Sequence, residues 1–232
     1  MKVQKRPQGE IAIIDPALKT PELECFNHLS TQTELSTTYH LPALQGFSSF
    51  SALPDTLAGI VVLGSGASVH DGQPWQDELH SWLQSRMIAR TPTLGLCYGH
   101  QAIAHIFGGS VELLWEGRKA KGVRDVSFRC DRLGLDLPSR PVVVSHREGV
   151  TTCPEYFEMV GFSNASPTEA FRHAHLPIWG VQAHVEAVAG FLTHNEIPAQ
   201  PTENTFTQGH QVVNAFLKFV ERRWRQEIDA AQ

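Results

Sequence analysis

The sequence predicts an α/β fold, in which a mainly parallel central sheet is flanked by helices and carries an antiparallel patch. In the first half, short apolar runs alternate with segments of helical periodicity, as expected for parallel strands joined by helices. After residue 110 the apolar runs follow one another closely, which favours antiparallel pairing. There is no internal repeat or low-complexity linker, so residues 1–232 are expected to form one domain with a helical extension from about 190.

Three buried strands and two helices are predicted in the first half. The apolar runs at residues 11–14, 57–63 and 92–97 are too short for helices and end in turn residues. Apolar residues recur at helical spacing over 75–89, and again over 98–107 before the Gly108-Gly109 cap. Residues 16–57 are polar and irregular, and no element is predicted there.

The second half is predicted to be rich in strands and to end in a long helix. The expected strands cover residues 111–115, 123–128, 142–145, 157–162, 170–172 and 178–182. Val212, Phe216, Phe219 and Val220 share one face of a helix expected over 208–228. This stripe is expected to pack against the rest of the chain.

Composition restricts the function to a few classes. The chain of 232 residues is 41% hydrophobic and 19% charged, with a net charge of −5 and no long basic run, so neither disorder nor nucleic-acid binding is expected. No apolar run could cross a bilayer, and polar residues rather than a signal core follow Lys2, Lys5 and Arg6. Four scattered cysteines fit free thiols in a reducing compartment. The expected location is the cytoplasm.

The most informative segment runs from Gly95 to Gln101 and reads Gly-Leu-Cys-Tyr-Gly-His-Gln. Here Cys97 lies between two glycines, after an apolar run and before a predicted helix. This is the sequence form of a nucleophile elbow, whose tight strand-to-helix turn exposes one reactive side chain. The flanking glycines are expected because a Cβ at either position would collide in such a turn. A helix N-terminus also favours a thiolate at Cys97.

A second segment, Gly180 to Glu186, supplies a base and a group to orient it. His184 and Glu186 are two residues apart directly after a predicted strand, so in extended geometry both side chains point to the same side. A histidine near a cysteine, held by a carboxylate, is the arrangement used for acyl transfer. The predicted catalytic residues are therefore Cys97, His184 and Glu186.

Together the two segments resemble the class I glutamine amidotransferases, which combine G-x-C-x-G-x-Q with a later G-x-Q-x-H-x-E. Leu63–Val69 resembles their glycine-rich oxyanion loop, and Val144–Glu148 resembles a segment of the amidotransferase portion of GMP synthases. The resemblance implies a flavodoxin-like architecture, hydrolysis of glutamine through a γ-glutamyl thioester on Cys97, and release of ammonia. It implies Cys97 as nucleophile, His184 as general base and acid, and Glu186 as the group that orients His184.

The resemblance also implies an oxyanion hole and a substrate site. One oxyanion donor is the backbone N–H of Tyr98, and the other is expected from Ser65. Residues expected near the bound glutamine are Gly64, Gly66, Gln101, Ser145 and His146. The family usually has Gly-Gly-Pro in the oxyanion loop, whereas this chain has Gly64-Ser65-Gly66, and the missing proline predicts a more mobile loop.

Several alternatives remain open at this stage. Little sequence follows residue 190, so a separate synthetase subunit is expected to receive the ammonia, unless the protein hydrolyses another small γ-glutamyl compound by itself. A non-catalytic regulatory relative and a redox-sensing elbow cysteine are the other hypotheses. His173 and His175 have metal-ligand spacing but no third ligand nearby, and Gly64-Ser65-Gly66 lacks a full dinucleotide fingerprint. Neither a metal nor another cofactor is expected.

Overall fold

A computed structural model describes residues 9–198 and 202–230. Lys2, Lys5 and Arg6, which bear on the expected absence of a signal sequence, lie outside the described residues. Within the described part, no helix is both long enough and apolar enough to cross a membrane.

Eleven strands form one large sheet and one small sheet in the described part of the chain. In chain order they are β1 (Glu10–Ile14), β2 (Ser36–His40), β3 (Gly59–Val62), β4 (Thr93–Leu96), β5 (Ser110–Leu113), β6 (Ala120–Cys130), β7 (Leu135–His146), β8 (Glu148–Thr152), β9 (Phe157–Phe162), β10 (Ala170–His173) and β11 (Ile178–Val181). The large sheet has the order β2-β1-β3-β4-β11-β10-β9-β6-β7, and β5 pairs with β8 in the small one.

The pairing divides the large sheet into two parts. The five strands from β2 to β11 pair in parallel. The other four strands, β10, β9, β6 and β7, continue the sheet in antiparallel fashion. The prediction of a mainly parallel sheet with an antiparallel patch is confirmed, and the patch comprises nearly half of the strands.

Helices cover both faces of the parallel part. Their bounds are α1 (Leu23–Thr31), α2 (Pro42–Gln45), α3 (Pro74–Ile88), α4 (Tyr98–Ile106), α5 (Ala189–His194) and α6 (Glu203–Ala230). Ile11 and Ile13 of β1 pack in one buried cluster with Phe216 of α6, whereas Ala12 and Ile14 belong to a second cluster with Leu79 of α3. Successive strand residues point to opposite faces, so one buried strand contributes to two hydrophobic cores.

Most predicted elements have the expected positions, and the omissions are short or polar. The polar stretch over 16–57 contains α1, β2 and α2, none of which the sequence pattern predicted. The strand β2 was missed because it lies at a sheet edge and is only partly buried. The five-residue β8 and the six-residue α5 were also missed, since neither is long enough for a clear period. The division into a single domain stays a prediction, although Phe216 of α6 is fully buried.

Candidate active site

The predicted reactive residues follow the carboxyl ends of neighbouring parallel strands. Gly64 comes after β3, Cys97 directly after β4, and His184 shortly after β11. Because β4 lies between β3 and β11, these three residues meet at one edge of the sheet. Ligands of open α/β sheets bind at this edge.

Cys97 occupies a strained backbone turn between β4 and α4. Its φ and ψ are 50° and −100°, in a region that non-glycine residues rarely adopt. The Cys97 N–H donates to the carbonyl of Val181 at 2.9 Å, and its own carbonyl accepts from Gln101 N–H at 3.1 Å. These bonds tie the turn to β11 and to the first turn of α4, so the thiol is held at the helix N-terminus.

The two glycines flanking Cys97 permit the tight turn. A Cβ on Gly95 would come within 3.0 Å of the backbone of Gly99, and a Cβ on Gly99 would come equally close to the backbone of Val62. Real Cβ atoms do not approach a backbone so closely. The close approach of β4, α4 and β3 therefore requires glycine at both positions, as expected for an elbow.

His184 lies between Cys97 and Glu186. Its Nδ1 is 3.0 Å from Glu186 Oε1, and its side chain also hydrogen-bonds to Cys97. Burial disfavours the imidazolium, but the charges of Cys97 and Glu186 outweigh this effect and raise the pKa of His184 above its ordinary value of 6.5. The surroundings of His184 therefore favour the protonated imidazole.

The backbone and ring of His184 are fixed by neighbours from three other segments. Its N–H donates to the carbonyl of Val143 in β7 at 2.8 Å. The ring packs on Phe191 of α5, with 4.4 Å between ring centroids. Gly64 also lies against the ring, where an added Cβ would be 2.6 Å from His184 Cε1. The imidazole consequently has little freedom to turn away from Cys97.

The two predicted oxyanion donors come from α4 and from the loop after β3. Tyr98 is the first residue of α4, so its N–H has no intrahelical acceptor. Ser65 lines the same cavity as Cys97. Its hydroxyl is occupied, because it donates to Pro16 O at 2.7 Å and accepts from Ala67 N–H at 3.1 Å. The hydroxyl therefore braces the loop in which the proline is missing, and the oxyanion contact predicted for Ser65 is expected from its backbone N–H.

If the chain hydrolyses glutamine as the sequence predicts, substitution of Ser65 by Ala is expected to lower kcat about two- to tenfold, because the loop loses two hydrogen bonds worth roughly 1 kcal/mol each. Steady-state ammonia release provides the measurement. Ser51→Ala is the matched control, since Ser51 Oγ donates to Ser48 O at 2.7 Å on an exposed turn. If Ser65→Ala leaves kcat unchanged, the hydroxyl does not brace the oxyanion loop.

Four of the five predicted substrate residues line one cavity beside Cys97, which we call the inner cavity, whereas Gly64 lines only a larger neighbouring cavity. The inner cavity has a volume of about 110 Å³, and its wall includes Cys97, Ser65, Gly66, Gln101, Ser145 and His146. Gln101 Nε2 is already bonded to Glu148 O at 2.8 Å, which makes it a support of the wall. Burial lowers the pKa of His146 to about 4, so its ring is neutral near pH 7.

Five residues of this region were absent from the predicted site. Gln182 Nε2 lies 3.7 Å from Cys97 Sγ, while Arg147 and Glu148 line the inner cavity. All three belong to the sequence segments that carry the predicted site residues, so the sequence could have placed them at the site as well. Lys119 and Phe191 lie in segments without any such motif, and only the folded chain places them at the site.

The described residues contain no group of three or more His, Cys, Asp or Glu side chains placed to hold a metal ion. The side chains that converge at this edge are a thiol, an imidazole and a carboxylate. They are suited to covalent acyl chemistry.

The family model for class I glutamine amidotransferases matches residues 42–197, which include both sequence segments and the oxyanion loop. This chain belongs to that family. The fold, the recognition of the family and the general type of enzyme predicted from the sequence are thereby confirmed. The individual roles of Cys97, His184 and Glu186 stay predictions.

This amidotransferase is similar to proteins named GMP synthase. It is 33% identical over 141 residues to the glutamine-hydrolyzing GMP synthase of Porphyromonas gingivalis, which covers 59% of this chain and 27% of that protein. It is 31% identical over 132 residues to one subunit of the glutamine-hydrolyzing GMP synthase of Methanopyrus kandleri, which covers 56% of this chain and 66% of that relative. The match thus spans about a quarter of the first relative's length.

Similarity to solved structures extends over nearly the whole amidotransferase. A Thermoplasma acidophilum protein, described provisionally as one subunit of a GMP synthase, superposes with a TM-score of 0.72 and 19% identity. The superposition covers 96% of this chain and 98% of that one. At this identity the likeness establishes the shared fold.

Proposed function

We propose that the protein hydrolyses the side-chain amide of L-glutamine through a γ-glutamyl thioester on Cys97 and releases ammonia for a partner synthetase. The observation that carries the proposal is the hydrogen-bonded series of Cys97, His184 and Glu186 at an elbow. The Methanopyrus kandleri relative supports a separate partner, since its name describes one subunit of a GMP synthase.

In the first half of the proposed reaction, the Cys97 thiolate attacks the amide carbon of glutamine. The carbonyl oxygen becomes an oxyanion, which accepts hydrogen bonds from the N–H groups of Tyr98 and Ser65. The C–N bond then breaks, and the protonated His184 gives its proton to the departing nitrogen. Ammonia leaves, and the γ-glutamyl group stays on sulfur as a thioester.

In the second half, neutral His184 takes a proton from water as the water oxygen attacks the thioester. Collapse of the second oxyanion breaks the C–S bond, releases glutamate and restores the thiolate beside the imidazolium. Glu186 keeps the imidazole in place through its 3.0 Å contact with Nδ1, which leaves Nε2 for both proton transfers. Apart from glutamine, water is the one reactant consumed.

The charges of the inner cavity complement the other end of glutamine. Arg147 and Glu148 lie in its wall, and they offer opposite charges to the α-carboxylate and the α-ammonium group. Glu148 Oε1 accepts from Ser68 Oγ at 2.9 Å, which holds this carboxylate in place. The inner cavity is therefore assigned to the amino-acid end of the substrate.

A cytoplasmic location is part of the proposal. All four cysteines are free thiols in the structure, and the proposed chemistry needs Cys97 to remain reduced. A reducing compartment meets both conditions.

The direct test measures glutamate and ammonia release together with covalent labelling by 6-diazo-5-oxo-L-norleucine, an electrophilic glutamine analogue. We expect turnover of glutamine and one label per chain, located on Cys97 by peptide mass analysis. Labelling of Cys25, Cys130 or Cys153 instead would show that the nucleophile is misassigned. Absence of both turnover and labelling would favour a non-catalytic relative.

The proposed role of Glu186 predicts a shift in pH dependence. Catalysis needs protonated His184, so kcat/KM falls as pH rises through its raised pKa. Glu186→Gln removes one charge that raises this pKa, so the decline is expected at lower pH, with kcat reduced on the order of 10²-fold or more. A pH–rate profile is the measurement, and the control is Glu158→Gln, which removes the exposed partner of the ion pair with Arg172. An unmoved profile would exclude this role.

A further inference from the structure

A second cavity adjoins the inner cavity on the far side of Ser65 and Gly66, and we call it the outer cavity. It has a volume of about 310 Å³. His184 lines the outer cavity and Cys97 does not, whereas Cys97 lines the inner cavity and His184 does not. The two cavities share only the wall residues Ser65, Gly66, Lys119 and Ser145. The reactive pair therefore stands between two adjoining spaces.

The chemistry assigns a different part of the substrate to each space, and this step rests on the proposed function. The acyl group becomes bonded to Cys97, so it occupies the inner cavity. The leaving nitrogen takes its proton from His184, so the leaving group lies toward the outer cavity. Ammonia is about as large as water, whose share of liquid volume is about 30 Å³. The outer cavity is roughly ten times larger than ammonia needs, and it has room for a substituted amine.

The carboxylates in the outer cavity are already engaged. Both Asp15 oxygens accept hydrogen bonds, one from Ala17 N–H at 2.9 Å and the other from Glu22 N–H at 2.7 Å and from the Tyr39 hydroxyl. The Glu22 carboxylate accepts from Asn195 Nδ2 at 2.8 Å. These acidic groups hold the cavity wall together and are not free to receive a ligand.

The uncommitted groups of the outer cavity are cationic or neutral donors. Lys19 and Lys119 line it, and neither ammonium group has a hydrogen bond or ion pair with any residue in the described part of the chain. Ser145 Oγ, also in the wall, is buried without a hydrogen-bond partner there. Two free ammonium groups and a free hydroxyl suit a carboxylate. Lys119 is central, because it borders both cavities.

We propose that the site also hydrolyses γ-glutamyl amides whose leaving amine carries a carboxylate, namely γ-glutamyl amino acids, with Lys119 and Lys19 receiving that carboxylate. The thiolate forms a bond to the γ-carbonyl carbon, and the C–N bond breaks as His184 protonates the nitrogen. The products of this step are the free amino acid and the γ-glutamyl thioester. Water then releases glutamate, so one amide and one water give two amino acids.

The test compares two substrates that differ only in the proposed recognition group, γ-glutamylglycine and γ-glutamylglycinamide, with glutamine assayed alongside. We expect kcat/KM for γ-glutamylglycine to exceed that for the glycinamide about tenfold, because charge-assisted contacts form only with the carboxylate. Lys119→Met is expected to bring this ratio close to one, and Lys119→Arg to restore most of it. Lys218→Met, an equal loss of charge on an exposed position of α6, should leave the ratio unchanged.

The outcomes separate this inference from the proposed function. Glutamine turnover with no preference for γ-glutamylglycine over its amide would overturn the inference and leave glutamine hydrolysis intact. If Lys119→Met keeps the wild-type ratio of kcat/KM for γ-glutamylglycine to that for γ-glutamylglycinamide, Lys119 does not recognise the carboxylate. If none of the three compounds is hydrolysed and 6-diazo-5-oxo-L-norleucine labels no cysteine, the proposed function itself fails.

Discussion

Replacement of Cys97 by Ser is expected to reduce glutamine hydrolysis on the order of 10⁴-fold or more, because a serine hydroxyl is not ionised by the imidazole that faces it. The fold should be retained, since the two side chains are close in size and the turn is held by backbone bonds to Val181 and Gln101. Ammonia release under saturating glutamine measures the loss.

Cys153→Ser is the matched control for this variant. Cys153 is also a free thiol, it is half-buried, and it lies outside both cavities. Its replacement should leave kcat near the wild-type value. Near wild-type turnover by Cys97→Ser would instead exclude Cys97 as the nucleophile, and with it the thioester on this residue.

Substitution of Gly95 by Ala is expected to lower the free energy of unfolding by about 3 kcal/mol or more. The new Cβ would lie within 3.0 Å of backbone atoms of Gly99, at the point where β4 and α4 are closest. Relief requires α4 to move away from the sheet, which opens a packed core. Urea denaturation followed by circular dichroism gives the change in free energy.

Gly66→Ala provides the stability control. At this position the nearest atom to an added Cβ is Leu18 Cδ1 at 3.9 Å, an ordinary contact, so the change is expected to stay within about 1 kcal/mol. Equal stability of the two variants would mean that the backbone around Cys97 adapts without cost. The requirement for glycine at the elbow would then be wrong.

The strands and helices that the sequence predicted are those with a strong local signal. Ile11 to Ile14 are apolar at every position because both faces of β1 are covered, and such a run is recognisable in the sequence alone. The edge strand β2 lacks this signal. The short helix α5 has one buried residue, Phe191, which packs against His184. No local sequence pattern predicts this contact, because it joins α5 to a different segment.

The candidate site divides in the same way. Cys97 with its flanking glycines, and His184 two residues before Glu186, are visible from local spacing because backbone geometry constrains each segment separately. The occupied hydroxyl of Ser65 could not be foreseen, since its acceptor, the carbonyl of Pro16, lies 49 residues away. A hydrogen bond between distant segments exists only once the chain has folded.

The amino-acid order alone thus identified the family, the elbow cysteine and its predicted partners, because these depend on short segments whose chemistry and backbone needs are local. Folding added the raised pKa of His184 and the two cavities on either side of it. It also brought Lys119, which no motif marks, to the wall that both cavities share. Volume, burial and electrostatic field arise from segments far apart in the chain, so they follow from the packed structure.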